Sequence, residues 1–68
     1  MTVEVVANGR PRTVEAGMTV DALIRSLGLD PIYVIVERNG EALERRRYAD
    51  VTLAEGDRLE LVRAVAGG

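Results

Sequence analysis

The sequence predicts a small α+β domain, a mixed sheet of four to five strands with one helix packed across one face. Three observations predict it. Two Asn-Gly pairs mark tight turns, one stretch has the apolar spacing of a helix, and the other apolar residues form short β-branched runs. Sixty-eight residues hold one core, which must be aliphatic because Phe and Trp are absent.

The first half of the chain predicts a hairpin and then a helix. A strand over Thr2–Ala7 meets Asn8-Gly9, the strongest short hairpin signal, and returns over Pro11–Glu15. Thr19 suits a helix N-cap, and Gly28 suits the left-handed position after the helix end. The helical apolar stripe between them consists of Val20, Leu23, Ile24 and Leu27.

The second half predicts three further strands. Ile32–Glu37 is apolar on both faces, which is typical of a central strand, and Asn39-Gly40 turns it into a short strand at Glu41–Leu43. Arg46–Asp50 is expected to be irregular or a single 3₁₀ turn. Glu55-Gly56-Asp57 predicts a tight turn into the last strand, from Arg58 to about Val65.

This order of elements places the first and last strands in parallel at the middle of the sheet, which is the β-grasp arrangement. We expect the folded domain to cover residues 1–63 and a flexible carboxyl-terminal tail to cover residues 64–68. Alternation leaves an apolar patch on the face that the helix does not cover, and a contiguous patch on a small domain indicates a partner-binding surface. The residues predicted for this patch are Val6, Tyr33, Ile35, Val62 and Arg63.

Composition excludes several classes of function. Nine arginines against eleven acidic residues give a formal charge of −2, which disfavours nucleic-acid binding. No apolar run is long enough to span a bilayer and no signal peptide is evident, so we expect a cytoplasmic protein without a membrane partner. The absence of Cys, His and Lys removes the usual nucleophiles, bases and metal ligands, so neither a metal site nor enzyme activity is expected.

The carboxyl end is the part of the sequence most suited to chemistry. The sequence finishes at Gly67-Gly68, and residues without side chains can enter a narrow channel in another protein. The predicted reactive group is the α-carboxylate of Gly68. Ala64, Val65 and Ala66 keep the segment before it slender.

Several segments together resemble those of a known family. They are Val34–Glu41, Tyr48–Asp50, Leu53–Val62 and the ending Ala64–Gly68. With these segments the chain is similar to the ubiquitin-like sulfur carrier proteins of the ThiS/MoaD superfamily, and most similar to the ThiS type of thiamine biosynthesis. The resemblance spans nearly the whole chain.

The resemblance implies a carrier and not an enzyme. An E1-like adenylyltransferase of the ThiF type would activate Gly68 with ATP. A cysteine desulfurase or rhodanese-like protein would supply sulfur to form a thiocarboxylate, which a thiazole synthase of the ThiG type or another acceptor would use. The carrier itself would need no cofactor, since ATP serves the activating partner.

Three alternatives stay open at this point. The same chemistry could serve tRNA thiolation or molybdopterin synthesis. The chain could also be a ubiquitin-like modifier joined to lysines of other proteins. A third alternative is a β-grasp interaction domain whose terminal glycines carry no chemistry.

Overall fold

The computed structural model describes residues 1–64 of the chain. The predictions for Val65, Ala66, Gly67 and Gly68 lie outside the described residues. The elements are β1 (Thr2–Ala7), β2 (Arg10–Glu15), α1 (Val20–Ser26), β3 (Val34–Arg38), β4 (Glu41–Leu43) and β5 (Arg58–Arg63), with 3₁₀ turns at Pro31–Tyr33 and Arg45–Arg47.

The sheet has five strands in the order β2-β1-β5-β3-β4. β1 and β5 are parallel at its centre, and the other pairs are antiparallel. The helix covers one face, where aliphatic side chains from every central strand are buried against it. The predicted β-grasp architecture is confirmed.

Local signals in the first half produce the predicted hairpin and helix. Asn8 and Gly9 both have positive φ, at 52° and 79°, as a type I′ turn requires. The Thr19 side chain accepts a hydrogen bond from the Ala22 N–H at 3.1 Å and so caps the helix. Gly28 follows the helix with φ of 77°, and the left-handed residue there lets the chain turn back towards the sheet.

The sequence prediction was wrong at the start of the central strand. Ile32 and Tyr33 belong to a 3₁₀ turn, and β3 begins only at Val34. The reason is the preceding Asp30, whose side chain accepts a hydrogen bond from the Ile32 N–H at 3.0 Å. Together with Pro31 at the first turn position, this cap favours a turn over an extended chain.

The core contains an aromatic side chain that the sequence did not assign to it. Tyr48 follows the second 3₁₀ turn and is only 3% exposed. Its hydroxyl donates a hydrogen bond of 2.8 Å to the Val34 carbonyl oxygen, so the polar end of the ring is satisfied inside the core. Val51 and Leu53 are also buried, and they bring the chain back under the helix.

Candidate functional site

A buried aspartate, Asp57, immediately precedes β5. Asp57 is 4% exposed, yet it is charged, so its carboxylate needs partners. It accepts hydrogen bonds from the Arg38 Nε at 3.1 Å, from the Asn39 Nδ2 at 3.0 Å and from the Ala54 N–H at 2.8 Å. These contacts fasten the end of β3 and the turn before β5 to one buried group.

Burial and hydrogen bonding act on the pKa of Asp57 in opposite directions. Burial, the largest single influence, raises the pKa because it disfavours the charged carboxylate. The hydrogen bonds from the Ala54 N–H and the Asn39 amide, and then the Arg38 guanidinium, lower it. Their combined effect is greater, and the pKa lies below its ordinary value of 3.8.

Two asparagine side chains take the place of backbone groups beside β5. The backbone N–H of Asn39 donates to the Arg58 carbonyl, and the Asn39 side-chain Oδ1 accepts the Arg58 N–H at 2.8 Å. On the other side of β5, the Asn8 Oδ1 accepts the Leu61 N–H at 2.7 Å. The Asn8 Nδ2 donates to the Leu61 carbonyl at 3.2 Å, so β5 stays paired after β1 has ended.

Apolar side chains are exposed where the end of β5 lies beside the start of β3, and those of Ile35 and Val62 are on the uncovered face. Tyr33, Ile35 and Val62 are 51%, 51% and 55% exposed. Ile35 and Val62 are direct partners in the antiparallel pairing of β3 and β5, so their side chains lie side by side. We call these three residues the open-face patch.

Val6, the fourth apolar residue predicted for this surface, lies at the opposite end of the uncovered face. Val6 pairs with Arg58 in the parallel ladder, and Arg58 precedes Val62 by four residues along β5. Val6 and Val62 are therefore separated by about 13 Å along the strand direction. Glu37 and Glu60, a directly opposed like-charged pair, lie between. Val6, both glutamates and Arg58 help line a groove of about 430 Å³.

Arg63, the fifth predicted residue, has a different orientation. Its partner in β3 is Val34, which is buried beneath the helix, so alternation directs the Arg63 side chain towards the helix-covered face. The next residue, Ala64, was assigned to the tail, and its N–H donates a hydrogen bond of 2.7 Å to the Tyr33 carbonyl. Gly68 and its carboxylate lie outside the described residues.

Sequence reasoning thus missed the polar contacts around β5 and found much of the apolar surface. The two Asn-Gly pairs were interpreted only as turns, whereas their asparagine side chains also hold the strand that leads to the carboxyl end. Within residues 1–64, no cluster of acidic side chains is suited to hold a metal ion. The helix in that range is too short and too polar to cross a membrane.

The fold and the arrangement of β5 define a ubiquitin-like β-grasp domain. One structural neighbour is a computationally designed protein based on human erythrocytic ubiquitin, with a TM-score of 0.56 and 24% identity over 98% of this chain and 95% of that one. At that identity the likeness concerns the fold alone.

Closer comparisons identify the family. The ThiS family model matches residues 5–68. The crystal structure of the thiamine biosynthesis protein ThiS from Geobacter metallireducens matches with a TM-score of 0.80 and 35% identity, covering 97% of this chain and all of that one. The sulfur carrier protein ThiS of Bacillus subtilis is 42% identical over 50 residues, which are 74% of this chain and 76% of that protein. The chain belongs to the ThiS family.

Two longer relatives have a different name. A thiazole synthase of Paramagnetospirillum magneticum is 45% identical over 65 residues, and one of Magnetococcus marinus is 43% identical over 61 residues. These matches cover 96% and 90% of this chain. The chain spans only 20% and 19% of the length of these two relatives.

Proposed function

We propose that this protein is a sulfur carrier of thiamine biosynthesis and that Gly68 is the residue that carries the sulfur. The observation that supports this function best is the family match, which extends through the terminal glycines. The B. subtilis relative is named a sulfur carrier, and the G. metallireducens neighbour is named a thiamine biosynthesis protein.

The chemistry begins with a poor electrophile, because a carboxylate does not react readily with nucleophiles. An adenylating partner of the E1-like class joins the Gly68 carboxylate to the α-phosphate of ATP and releases pyrophosphate. The terminal sulfur of a persulfide, held by a desulfurase or rhodanese-like protein, attacks the acyl carbon and displaces AMP. A thiol then reduces the acyl disulfide and releases the thiocarboxylate, and the oxidised product is a disulfide.

The acceptor in this proposal is a thiazole synthase. Two relatives named thiazole synthase contain a segment similar to almost the whole of this chain, which supports a functional connection between the two activities. The folded body contributes recognition and no catalytic group, so the carrier acts as a substrate of its partners. It needs no cofactor of its own.

The open-face patch is the surface that we assign to partner recognition. Its three apolar side chains lie where β5 leads into the carboxyl-terminal residues, so a partner that binds the patch also lies near the tail. Val6 belongs to the other end of the face, and it is not needed for this role.

Intact-mass analysis tests the proposal. The chain is produced together with an adenylating enzyme and a cysteine desulfurase from the same organism. We expect a product in which one sulfur replaces one oxygen, and tandem mass spectrometry should locate it at Gly68. A variant that lacks Gly67 and Gly68 should stay unmodified.

A matched surface variant, Glu15→Ala, should be modified like the native chain, because Glu15 is an exposed residue at the end of β2. If the native chain gains no sulfur, the proposed carrier role is wrong. If it is instead found joined through Gly68 to lysines of other proteins, it is a protein modifier.

A further inference from the structure

The backbone of β5 offers hydrogen-bonding groups to its two neighbours alternately. The Arg58 carbonyl and the Ala64 N–H both bond towards β3, to the Asn39 N–H and the Tyr33 carbonyl. The backbone N–H and carbonyl groups of the even-numbered residues of β5 therefore point towards β3. Because these groups alternate along a strand, those of Leu59, Leu61 and Arg63 face the other side, where β1 lies.

On that side the pairing partner runs out before β5 ends. The Leu59 carbonyl accepts the Asn8 N–H at 2.9 Å, and Leu61 is bonded at both its N–H and its carbonyl by the Asn8 side chain. The chain then turns away at Gly9. The N–H and carbonyl of Arg63 are the next groups along, and no residue within 1–64 pairs with them on this side.

Each of the two outermost strands has a feature that limits pairing with another strand. The Val6 N–H donates to the Asp57 carbonyl, so the backbone groups of Val6 face β5. Those of its β2 partner Pro11 therefore face the outer edge of the sheet, where proline has no N–H to donate. At the other edge, β4 is only three residues long. The β5 edge at Arg63 has neither form of protection, and it immediately precedes the carboxyl-terminal residues.

We propose that this vacant edge at Arg63 pairs with an extended segment of the thiazole synthase that receives the carboxyl-terminal residues. The incoming strand lies next to β5, in the position that β1 would occupy if it continued beyond Asn8. It therefore lies beside the open-face patch. This backbone pairing fixes the direction in which the last residues leave the domain. The inference rests on the proposed function, because it assumes that the acceptor is a thiazole synthase.

Hydrogen exchange tests the pairing without changing the protein. The native chain is labelled with ¹⁵N and mixed with purified thiazole synthase from the same organism, and amide exchange is followed by NMR. We expect the Arg63 N–H to exchange quickly in the free carrier and at least about tenfold more slowly in the complex. The Ala64 N–H, already bonded to Tyr33, serves as an internal reference.

A pair of variants at the same position separates the backbone from the side chain. Arg63→Pro removes the N–H that faces the vacant edge and leaves the bonds to β3 in place, whereas Arg63→Ala keeps the N–H. The proline variant should bind thiazole synthase about tenfold or more weakly, and the alanine variant within about threefold of native. Thermal unfolding of both variants checks that the domain still folds.

The outcomes distinguish the two proposals. If the complex forms and the Arg63 N–H exchanges as quickly as in the free chain, the edge pairing is wrong and the carrier function stands. If no complex forms with thiazole synthase, the proposed acceptor is wrong, and the edge pairing stated for it is wrong as well. Equal binding by the proline variant and the native chain also overturns the pairing.

Discussion

The two ends of β5 differ in how much of their bonding capacity the domain itself uses. At the beginning, Asp57 and Asn39 bind neighbouring backbone and side-chain groups on three segments. At the end, Val62 and Arg63 leave apolar surface and backbone groups exposed. A small domain can thus concentrate its stability at one end of a strand and leave the other end available for a partner.

A substitution at the buried end should change the free energy of unfolding most. Asp57→Ala removes the acceptor shared by Arg38, Asn39 and the Ala54 N–H, and leaves those groups without their partner. We expect the free energy of unfolding to fall by about 3 kcal/mol. Urea denaturation measures this change, with Glu15→Ala as a surface control that should stay within about 0.5 kcal/mol of native.

The same end should be sensitive to acid. Because the pKa of Asp57 is lower in the folded chain than its ordinary value of 3.8, its ionised form is stabilised by folding. That stabilisation is fully present above about pH 5, and it is lost as the pH falls through the lower folded-state pKa. Urea midpoints between pH 7 and pH 2 should therefore fall more for the native chain than for Asp57→Asn. Parallel curves for the two proteins would contradict this assignment.

At the open end, stability and binding should separate. The double variant Ile35→Thr with Val62→Thr keeps β-branched side chains at two exposed positions, so its unfolding free energy should change by less than about 1 kcal/mol. Its affinity for thiazole synthase, the proposed acceptor, should fall roughly tenfold if the open-face patch is the surface that binds it. Isothermal titration calorimetry measures the affinity, and Thr13→Ser on β2 is the control. Unchanged affinity of the double variant would remove the open-face patch from partner recognition.

A substitution between the two ends should change stability only slightly. Glu37 and Glu60 are directly opposed like charges on the uncovered face, an arrangement that weakens a sheet. Glu60→Arg converts the pair into opposite charges and should raise the thermal midpoint by roughly 1–4 °C at low salt. Added salt should reduce the gain, and a midpoint that does not move at low salt would show that the two carboxylates do not interact.

The fold was predictable because its signals are local. Asn8-Gly9, Thr19 and Gly28 each have one preferred backbone role, and the alternation of aliphatic residues identified which face is buried. The open-face patch could be anticipated for the same reason. The position of Val6 could not, because it depends on the register between β1 and β5, which no neighbouring residue specifies.

The polar contacts around β5 were not predictable from local patterns. Asp57 meets Arg38 across 19 residues of sequence, and Asn8 meets Leu61 across 53. A buried aspartate in a Glu-Gly-Asp turn has the same sequence as an exposed one. Tyr48 is similar, since only the folded chain shows that the carbonyl of Val34 is within reach of its hydroxyl.

The two asparagines beside β5 also bear on how the protein ages. Each is followed by glycine, whose lack of a side chain leaves its backbone nitrogen free to attack the amide and form a succinimide. Hydrolysis of that ring at Asn39 would create a carboxylate next to the one on Asp57, and the amide that now donates to it would be gone. Slow deamidation of Asn39 would therefore destabilise the domain at the beginning of β5, where its polar contacts are concentrated.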